Sequence, residues 1–562
     1  VRQSYAMPES LLRELLDDIV FHVRTFAETQ ISHMYELVRI GLSLSAEKRL
    51  DRLFEMIVQE ARRFTNADGG TLYIVDDERK KLEFVIVQND SLKVHMGGSG
   101  QAMQWPPVEL YLADGSENHR NVSAHVVLTG RPVNIPDVYQ AEGFDFQGTK
   151  DFDARTGYRS RSMLVIPMRD HEDEVIGVLQ LINARDRDSG QVVPFPPEEV
   201  EMATSLASEA AVALTNMRLI RGLEELLNAF IQTIADAIDE KSPYTGGHIL
   251  RVAEVTEQLA IKINEAETGP FAEIRFSPDE LAEIRMAAWL HDIGKITTPE
   301  FVVDKATKLE TIVDRIELVR ARIEILKRDR EIAQLQKLIA QGGGSGQPDQ
   351  DQRQPADQDL DEQLAFLESV NYGGESLSDE KIEKIRKAAD FTLSIQGRTV
   401  PLLDPDEVEN LSIRQGTLTA HERKRVSNHV NVSIRMLNSL PFPKKLRRVP
   451  LCAGLHHEKL DGSGYPLGLT GDQIPLPGRL LAVADIFEAL TASDRPYKRG
   501  KPLSEAIRIL EQMADNGQLD KAVCDLLVES GLVAEYAGRH LAPHLVDDFV
   551  WRGRKYAVKG SR

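Results

Sequence analysis

The sequence predicts a multidomain protein: an α+β domain joined by a long coiled-coil helix to an all-α domain that carries an inserted helical hairpin. Three observations predict it. At 562 residues the chain is several times the length of one ordinary domain, roughly 150 residues. Its apolar periodicity passes from mixed strand and helix patterns to helical patterns alone, and a sustained heptad seam separates the two regions. With 42% hydrophobic and 28% charged residues, the composition is that of a folded globular chain.

Residues 1–44 read as an N-terminal heptad helix. Leu12, Leu16, Ile19, Val23, Phe26, His33, Leu37 and Ile40 follow a four-three spacing broken at Gln30. Residues 45–198 form the α+β domain, opening with an amphipathic helix (Leu50, Leu53, Ile57, Ala61) and continuing with β-type runs at 71–75, 82–87, 133–135, 163–168 and 175–182. Residues 199–240 hold the longer seam: Leu206, Ala210, Ala213, Met217, Ile220, Glu224, Leu227, Ile231, Ile234 and Ile238. Such a run predicts a signalling helix paired with its own copy in a parallel homodimer, the alternative being one amphipathic helix packed on its own domain. Residues 241–562 form the all-α domain. A hairpin is inserted at about 309–415: Ile312, Ile316, Val319, Ile323 and Leu326 line an outgoing helix that runs to about Ala340, 342–346 is a glycine-rich tip, and Leu360, Leu364 and Leu367 line the return.

The balance of 68 Lys and Arg against 88 Asp and Glu leaves a net charge of −20, which argues against a nucleic-acid polymer as partner. No apolar run approaches the ~20 residues of a membrane span and no signal-peptide pattern is present. Cys452 and Cys524 are too few for a disulfide framework. The chain reads as cytoplasmic.

The chemistry concentrates in the last domain. His248, His291, His429, His456 and His457 lie in or between its predicted helices, Asp292 follows His291, and Asp485 sits inside the apolar helix at 480–490. An unpaired buried carboxylate costs several kcal/mol, whereas imidazole and carboxylate together are ligands for Zn, Mn or Fe. Seven candidates exceed the four to six ligands of one ion, so the set predicts more than one divalent metal ion, of undetermined identity.

The flanking residues carry a family resemblance. His291-Asp292-Ile293-Gly294-Lys295 resembles the paired motif of HD-superfamily phosphohydrolases. His456-His457-Glu458-Lys459-Leu460-Asp461-Gly462-Ser463-Gly464-Tyr465-Pro466 resembles the motif that names the HD-GYP subgroup. Pro243-Tyr244-Thr245-Gly246-Gly247-His248 upstream, and Asp485-Ile486-Phe487-Glu488 through Asp494-Arg495-Pro496-Tyr497-Lys498 downstream, are similar to it as well. The resemblance implies a bacterial signalling phosphodiesterase that hydrolyses cyclic di-GMP to pGpG, in some members on to GMP. It also implies two divalent ions, one on His248, His291, Asp292 and Asp485 and the other on His429, His456 and His457, with Asp292 bridging. Members that hold three ions place a Glu where this chain has Tyr244.

Asp292 and Lys295 are the implied catalytic residues, and Arg495, Lys498, Gly464 and Tyr465 the implied substrate-binding residues. The Gly-Tyr-Pro loop and the insertion are candidate surfaces for a protein partner. Two alternatives stay open: a phosphodiesterase for 3′,3′-cyclic GMP-AMP, and a catalytically silent cyclic-dinucleotide-binding module.

The α+β domain resembles a GAF domain. The resemblance rests on Asn134-Ile135-Pro136-Asp137, Thr156-Gly157-Tyr158, the 162–167 strand, and 175–183 ending in Asn183. It implies a sensor for an unidentified small molecule. Asn183 is followed by Ala184 where cyclic-nucleotide-binding members have Lys, so cAMP or cGMP is not implied.

Overall fold

The computed structural model describes residues 9–76, 78–240, 247–340, 350–374, 376–492 and 500–558. Residues up to Leu226 form one compact unit and those from Leu227 a second.

The first unit contains α1 (Glu9–Ala46), α2 (Leu50–Phe64), α3 (Val122–Thr129), α4 (Gln147–Thr156) and the beginning of α5 (Pro197–Asp239). Its strands are β1 (Ala67–Val75), β2 (Lys81–Asn89), β3 (Val94–Met96), β4 (Val108–Glu109), β5 (Val133–Ile135), β6 (Met163–Arg169), β7 (Val175–Arg185) and β8 (Val192–Val193). They form one antiparallel sheet in the order β3-β2-β1-β7-β6-β5, with β4 on β2 and β8 on β7. Every residue of β1 is buried because both faces of the sheet are covered. The two-residue side-chain period divides the strands accordingly. Leu72, Ile74, Leu164, Ile166, Leu179 and Leu181 join a core with α1, α2 and α5, while Tyr73, Val75, Met163, Val165 and Val178 join a second core with Val122 and Val126 of α3.

The heptad positions expected to face a second copy are spent otherwise at both ends of α5. Leu206, Ala210 and Ala213 are buried in the first unit's core, and Ile231 and Ile238 in the second unit's core. The apolar side chains that α5 leaves exposed are Val212, Leu219, Ile220, Leu223, Leu226 and Phe230. Of these, Val212, Leu219, Leu223, Leu226 and Phe230 are spaced seven, four, three and four apart, a seam one residue out of phase with the expected one. On α1, Leu16, Ile19, Val23 and Phe26 are likewise exposed, while Ile40 and Leu44 are buried. The side chains of Leu12 and His33 lie outside the described residues.

The second unit is helical. It runs through α6 (His248–Glu265), α7 (Pro278–Leu290), α8 (Glu300–Val303), α9 (Ile316–Ala340), α10 (Gln350–Asn371), α11 (Asp379–Ala389) and α12 (Pro405–Leu411). It continues through α13 (Ala420–Ser427), α14 (His429–Asn438), α15 (Val449–Ala453), α16 (Leu476–Thr491), α17 (Leu503–Asp515), α18 (Lys521–Glu529) and α19 (Leu532–His540). The main core joins α6, α7 and α15–α19, and a terminal hairpin of β11 (Phe549–Trp551) and β12 (Arg554–Tyr556) adds the fully buried Trp551.

The inserted hairpin is present as α9 and α10, but Ile312 is exposed and precedes the outgoing helix, which begins at Ile316, where the N–H donates to Asp314; the tip at 342–346 lies outside the described residues. The hairpin is accompanied by elements that periodicity did not reveal: α11, α12, and a β-hairpin of β9 (Thr392–Ile395) and β10 (Arg398–Pro401). These share a separate core built on Val319, Ile323, Leu360, Leu367, Ile385 and Leu402. The insertion is therefore a small subdomain. At its root the buried Lys305 donates from Nζ to Asn410 of α12 at 2.7 Å and to Glu422 of α13 at 2.9 Å.

Candidate metal centre

Five helix ends and one helix middle deliver the polar side chains. His248 opens α6, and the N–H of Ile249 donates to Asp239 at the end of α5. Ser277 and Glu280 form a capping box that starts α7, whose C-terminal end places His291 and Asp292. A 3-10 turn, Ile293–Thr297, then turns Lys295 back, so that its Nζ lies 2.5 Å from Asp292 Oδ2. His429 opens α14, His456 and His457 follow α15, and Asp485 projects from the middle of α16.

Gly294 permits the crossing of α14. A Cβ there would lie 2.0 Å from the His429 carbonyl oxygen, and Ser433 Oγ accepts from Gly294 N–H and donates to the His291 carbonyl, both at 2.9 Å.

All seven candidate ligand side chains come together. Asp292 Oδ2 lies 3.2 Å from His291 Nε2 and 3.6 Å from His248 Nε2, and the latter is 3.5 Å from Asp485 Oδ1. The other oxygen, Asp292 Oδ1, faces His429 Nε2 at 3.2 Å and His456 Nε2 at 3.9 Å. His429, His456 and His457 form one group, and His248, His291 and Asp485 another, each with its ligand atoms within 4.8 Å of one another. Ligand atoms ~2.0–2.2 Å from a shared ion stand at most about 4.4 Å apart, a limit the individual 3.2–3.9 Å separations meet.

The imidazoles are oriented for coordination. Nδ1 of His291, His429 and His456 each lies 2.7 Å from the carbonyl oxygen three residues earlier, at Ala288, Val426 and Ala453. A carbonyl only accepts, so each Nδ1 carries a proton, and Nε2 is the ring atom turned toward the centre. His248 Nδ1 instead meets Glu488 Oε2 at 2.5 Å, while Glu488 Oε1 accepts from Arg251 at 2.7–2.8 Å.

The fit to cations is visible in what lacks a partner: His291 Nε2 and Asp292 Oδ1 are buried and make no hydrogen bond. A buried acceptor without a donor is costly, and a cation beside each of these atoms would remove that cost.

Electrostatics divide the set. Burial raises the Asp292 carboxyl, but Lys295, His291 and His248 outweigh it and hold its pKa well below the ordinary range. Burial, reinforced by neighbouring imidazoles, pushes His456 well down and His457 to about 3, so both rings are neutral near pH 7. Burial also acts on His248, but Glu488 and Asp292 override it and hold the ring up at about 10.

The Gly-Tyr-Pro loop borders this group. The buried Glu458 carboxylate accepts from the N–H groups of Leu467, Gly468 and Leu469 at 2.6–3.2 Å and fixes the loop's return. Gly464 is required by close approach, since a Cβ there would lie 2.4 Å from Lys459 N and 2.5 Å from Glu458 Cα. The Tyr465 ring lies 4.8 Å from that of His457, the most exposed of the five histidines. Arg495 and Lys498, and Tyr244 upstream, lie outside the described residues.

Glu488, Ser433 and Glu458 are site-building residues that sequence reasoning assigned no role. Glu488 stands one turn beyond Asp485 on the same face of an otherwise apolar helix, and that second buried carboxylate is the signal that could have found it.

Comparison with known proteins places these observations. The GAF domain family matches residues 49–214, and HD domain families match 245–365 and 396–523. A Vibrio cholerae protein named 3′3′-cGAMP-specific phosphodiesterase 1 is 49% identical over 78 residues, 14% of this chain and 18% of that protein. A Thermotoga maritima cyclic di-GMP phosphodiesterase is 36% identical over 141 residues, 25% of this chain and 38% of that one. The chain thus spans well under half the length of these curated relatives. The crystal structure of the GAF domain from an Acinetobacter phosphoenolpyruvate-protein phosphotransferase aligns at 14% identity with a TM-score of 0.25, covering 34% of this chain and 98% of that one.

Proposed function

We propose that this chain, a GAF domain joined to an HD domain, is a metal-dependent phosphodiesterase that hydrolyses cyclic di-GMP to pGpG under control of its N-terminal domain. One observation carries the reading: the two carboxylate oxygens of Asp292 face different imidazoles, Oδ2 toward His291 and His248 and Oδ1 toward His429 and His456, with His291 Nε2 and Asp292 Oδ1 left without hydrogen bonds. His248, His291 and Asp485 would hold one divalent ion, His429, His456 and His457 the other, and Asp292 would bridge them. Two such ions supply a polarised phosphodiester and an ionised water for in-line attack at phosphorus. Lys295 holds Asp292 in place and keeps a positive charge beside the point where charge develops on the leaving oxygen. Tyr465 walls the open side at His457. Arg495 and Lys498 are assigned to the substrate phosphates by sequence resemblance alone.

A second substrate has a specific observation behind it. The relative that is 49% identical over its matched segment is named for 3′3′-cGAMP, and metal ligands do not distinguish bases. Hydrolysis of both dinucleotides by anaerobically purified protein, followed to pGpG or GMP, tests the activity; no turnover of either by metal-loaded protein refutes it.

The regulatory part of the reading is a parallel homodimer in the cytoplasm, paired along the exposed seam of α5. Val212, Leu219, Leu223, Leu226 and Phe230 supply its apolar positions, and the exposed Asn216 fills the intervening step, where a polar residue fixes register. A small molecule bound by the GAF domain would bias this helix pair and, through the Asp239 contact to Ile249 beside His248, the metal site. Partner proteins would meet the Gly-Tyr-Pro loop or the insertion.

A further inference from the structure

Beside the metal centre, a cleft of about 570 Å³ is lined by His421, Lys424, Arg425, Asn428, Asn431 and Tyr465. Tyr465 connects the two, its ring 4.8 Å from that of His457 and its hydroxyl meeting the Ser427 side chain. Lys424 and Arg425 are exposed, and neither has an ion-pair partner among the described residues. The adjoining Arg423, by contrast, donates to the Gln415 carbonyl. No carboxylate is among the side chains that line the cleft. Two cations with no carboxylate beside them among the described residues are conspicuous in a chain of net charge −20.

The volume admits a nucleobase with its sugar, and the tyrosine ring offers a face on which a base can stack. The purine edges differ in what they ask of such a wall. Guanine presents two acceptors, O6 and N7, whereas adenine replaces O6 with an amino donor. Lys424 and Arg425 only donate, so they satisfy guanine and oppose adenine. We propose that this cleft is a guanine seat with Lys424 and Arg425 as its specificity-determining residues. The enzyme then accepts cyclic di-GMP and 3′,3′-cyclic GMP-AMP, each of which has a guanine to place there, and discriminates against cyclic di-AMP. This rests on the cyclic-dinucleotide reading above.

The test is kcat/KM of the metal-loaded full chain for the three dinucleotides. Wild type should favour both guanine-containing substrates over cyclic di-AMP by roughly 10- to 100-fold, the range of one good base contact. The double variant Lys424→Ala/Arg425→Ala should bring that ratio to within about threefold, chiefly through KM. Arg425→Glu, whose carboxylate accepts from the adenine amino group, should shift preference toward cyclic di-AMP. Cyclic di-AMP turned over as well as cyclic di-GMP by wild type, or a guanine preference unchanged in both variants, overturns the seat. Wild type that cleaves bis(p-nitrophenyl) phosphate but none of the dinucleotides overturns the substrate reading itself.

Discussion

Replacing Glu488 with Gln removes a charge from the middle of a buried chain, Arg251–Glu488–His248, without changing its shape. The wild-type carboxylate is fully buried and accepts from both neighbours, at 2.5 Å from His248 Nδ1 and 2.7 Å from Arg251. The Gln side chain keeps one acceptor oxygen, so it satisfies one neighbour and turns an N–H group on the other. Breaking a buried ion pair costs about 3–5 kcal/mol, and the lower end applies because Arg251 keeps 16% exposure and one acceptor survives. The His248 ring also loses its fixed orientation, and loss of such a support typically weakens metal binding by about 10- to 100-fold, or ~1.4–2.7 kcal/mol. Urea unfolding reads the first quantity, and competition against a chromophoric chelator reads the second. A variant that unfolds within ~0.5 kcal/mol of wild type and holds metal equally well would refute the argument that Glu488 builds the site.

Three further outcomes follow from other parts of the molecule. Gly294→Ala pushes a methyl to 2.0 Å from a carbonyl oxygen of the helix that carries His429, so it should destabilise by ~3 kcal/mol or more and release metal, read by thermal unfolding and metal content. Leu219→Glu/Leu226→Glu on the exposed face of α5 should convert a dimer to monomer in light scattering while circular dichroism is unchanged; a variant still dimeric would exclude that seam. Burial pushes the Lys308 ammonium in the insertion root down to about 8 from 10.5, so the unfolded chain binds more protons between those values. Stability should therefore rise as pH increases through that window, by up to about 3 kcal/mol, and Lys308→Met should flatten the rise in urea titrations run from pH 7.5 to 10.

The sheet and the convergence of the candidate ligand side chains were legible because each leaves a local or motif-level signal. The apolar β-type runs at 71–75 and 163–168 match β1 and β6, and His291-Asp292 with His456-His457 marks residues that the fold assembles in one place. The free face of α5 was not legible. Apolar residues occupy two heptad tracks, Leu206-Ala210-Ala213 and Val212-Leu219-Leu223-Leu226, a single residue apart, and only tertiary packing decides which is covered. The β-hairpin in the insertion escaped because its strands have four residues each. Its turn nonetheless carried a signal, Gln396-Gly397, where both residues adopt positive φ at 52° and 74°. Ser433 and Glu458 act through partners that no spacing rule connects: Ser433 joins His291, 142 positions away, and Glu458 ties back its own loop.

Whether Asp292 is shared by two cations is read from metal content per chain after anaerobic purification, for wild type and Asp292→Ala. Wild type should hold two ions per chain and the variant should lose both, since each oxygen of Asp292 faces different histidines. A variant that retains wild-type metal content would contradict that sharing.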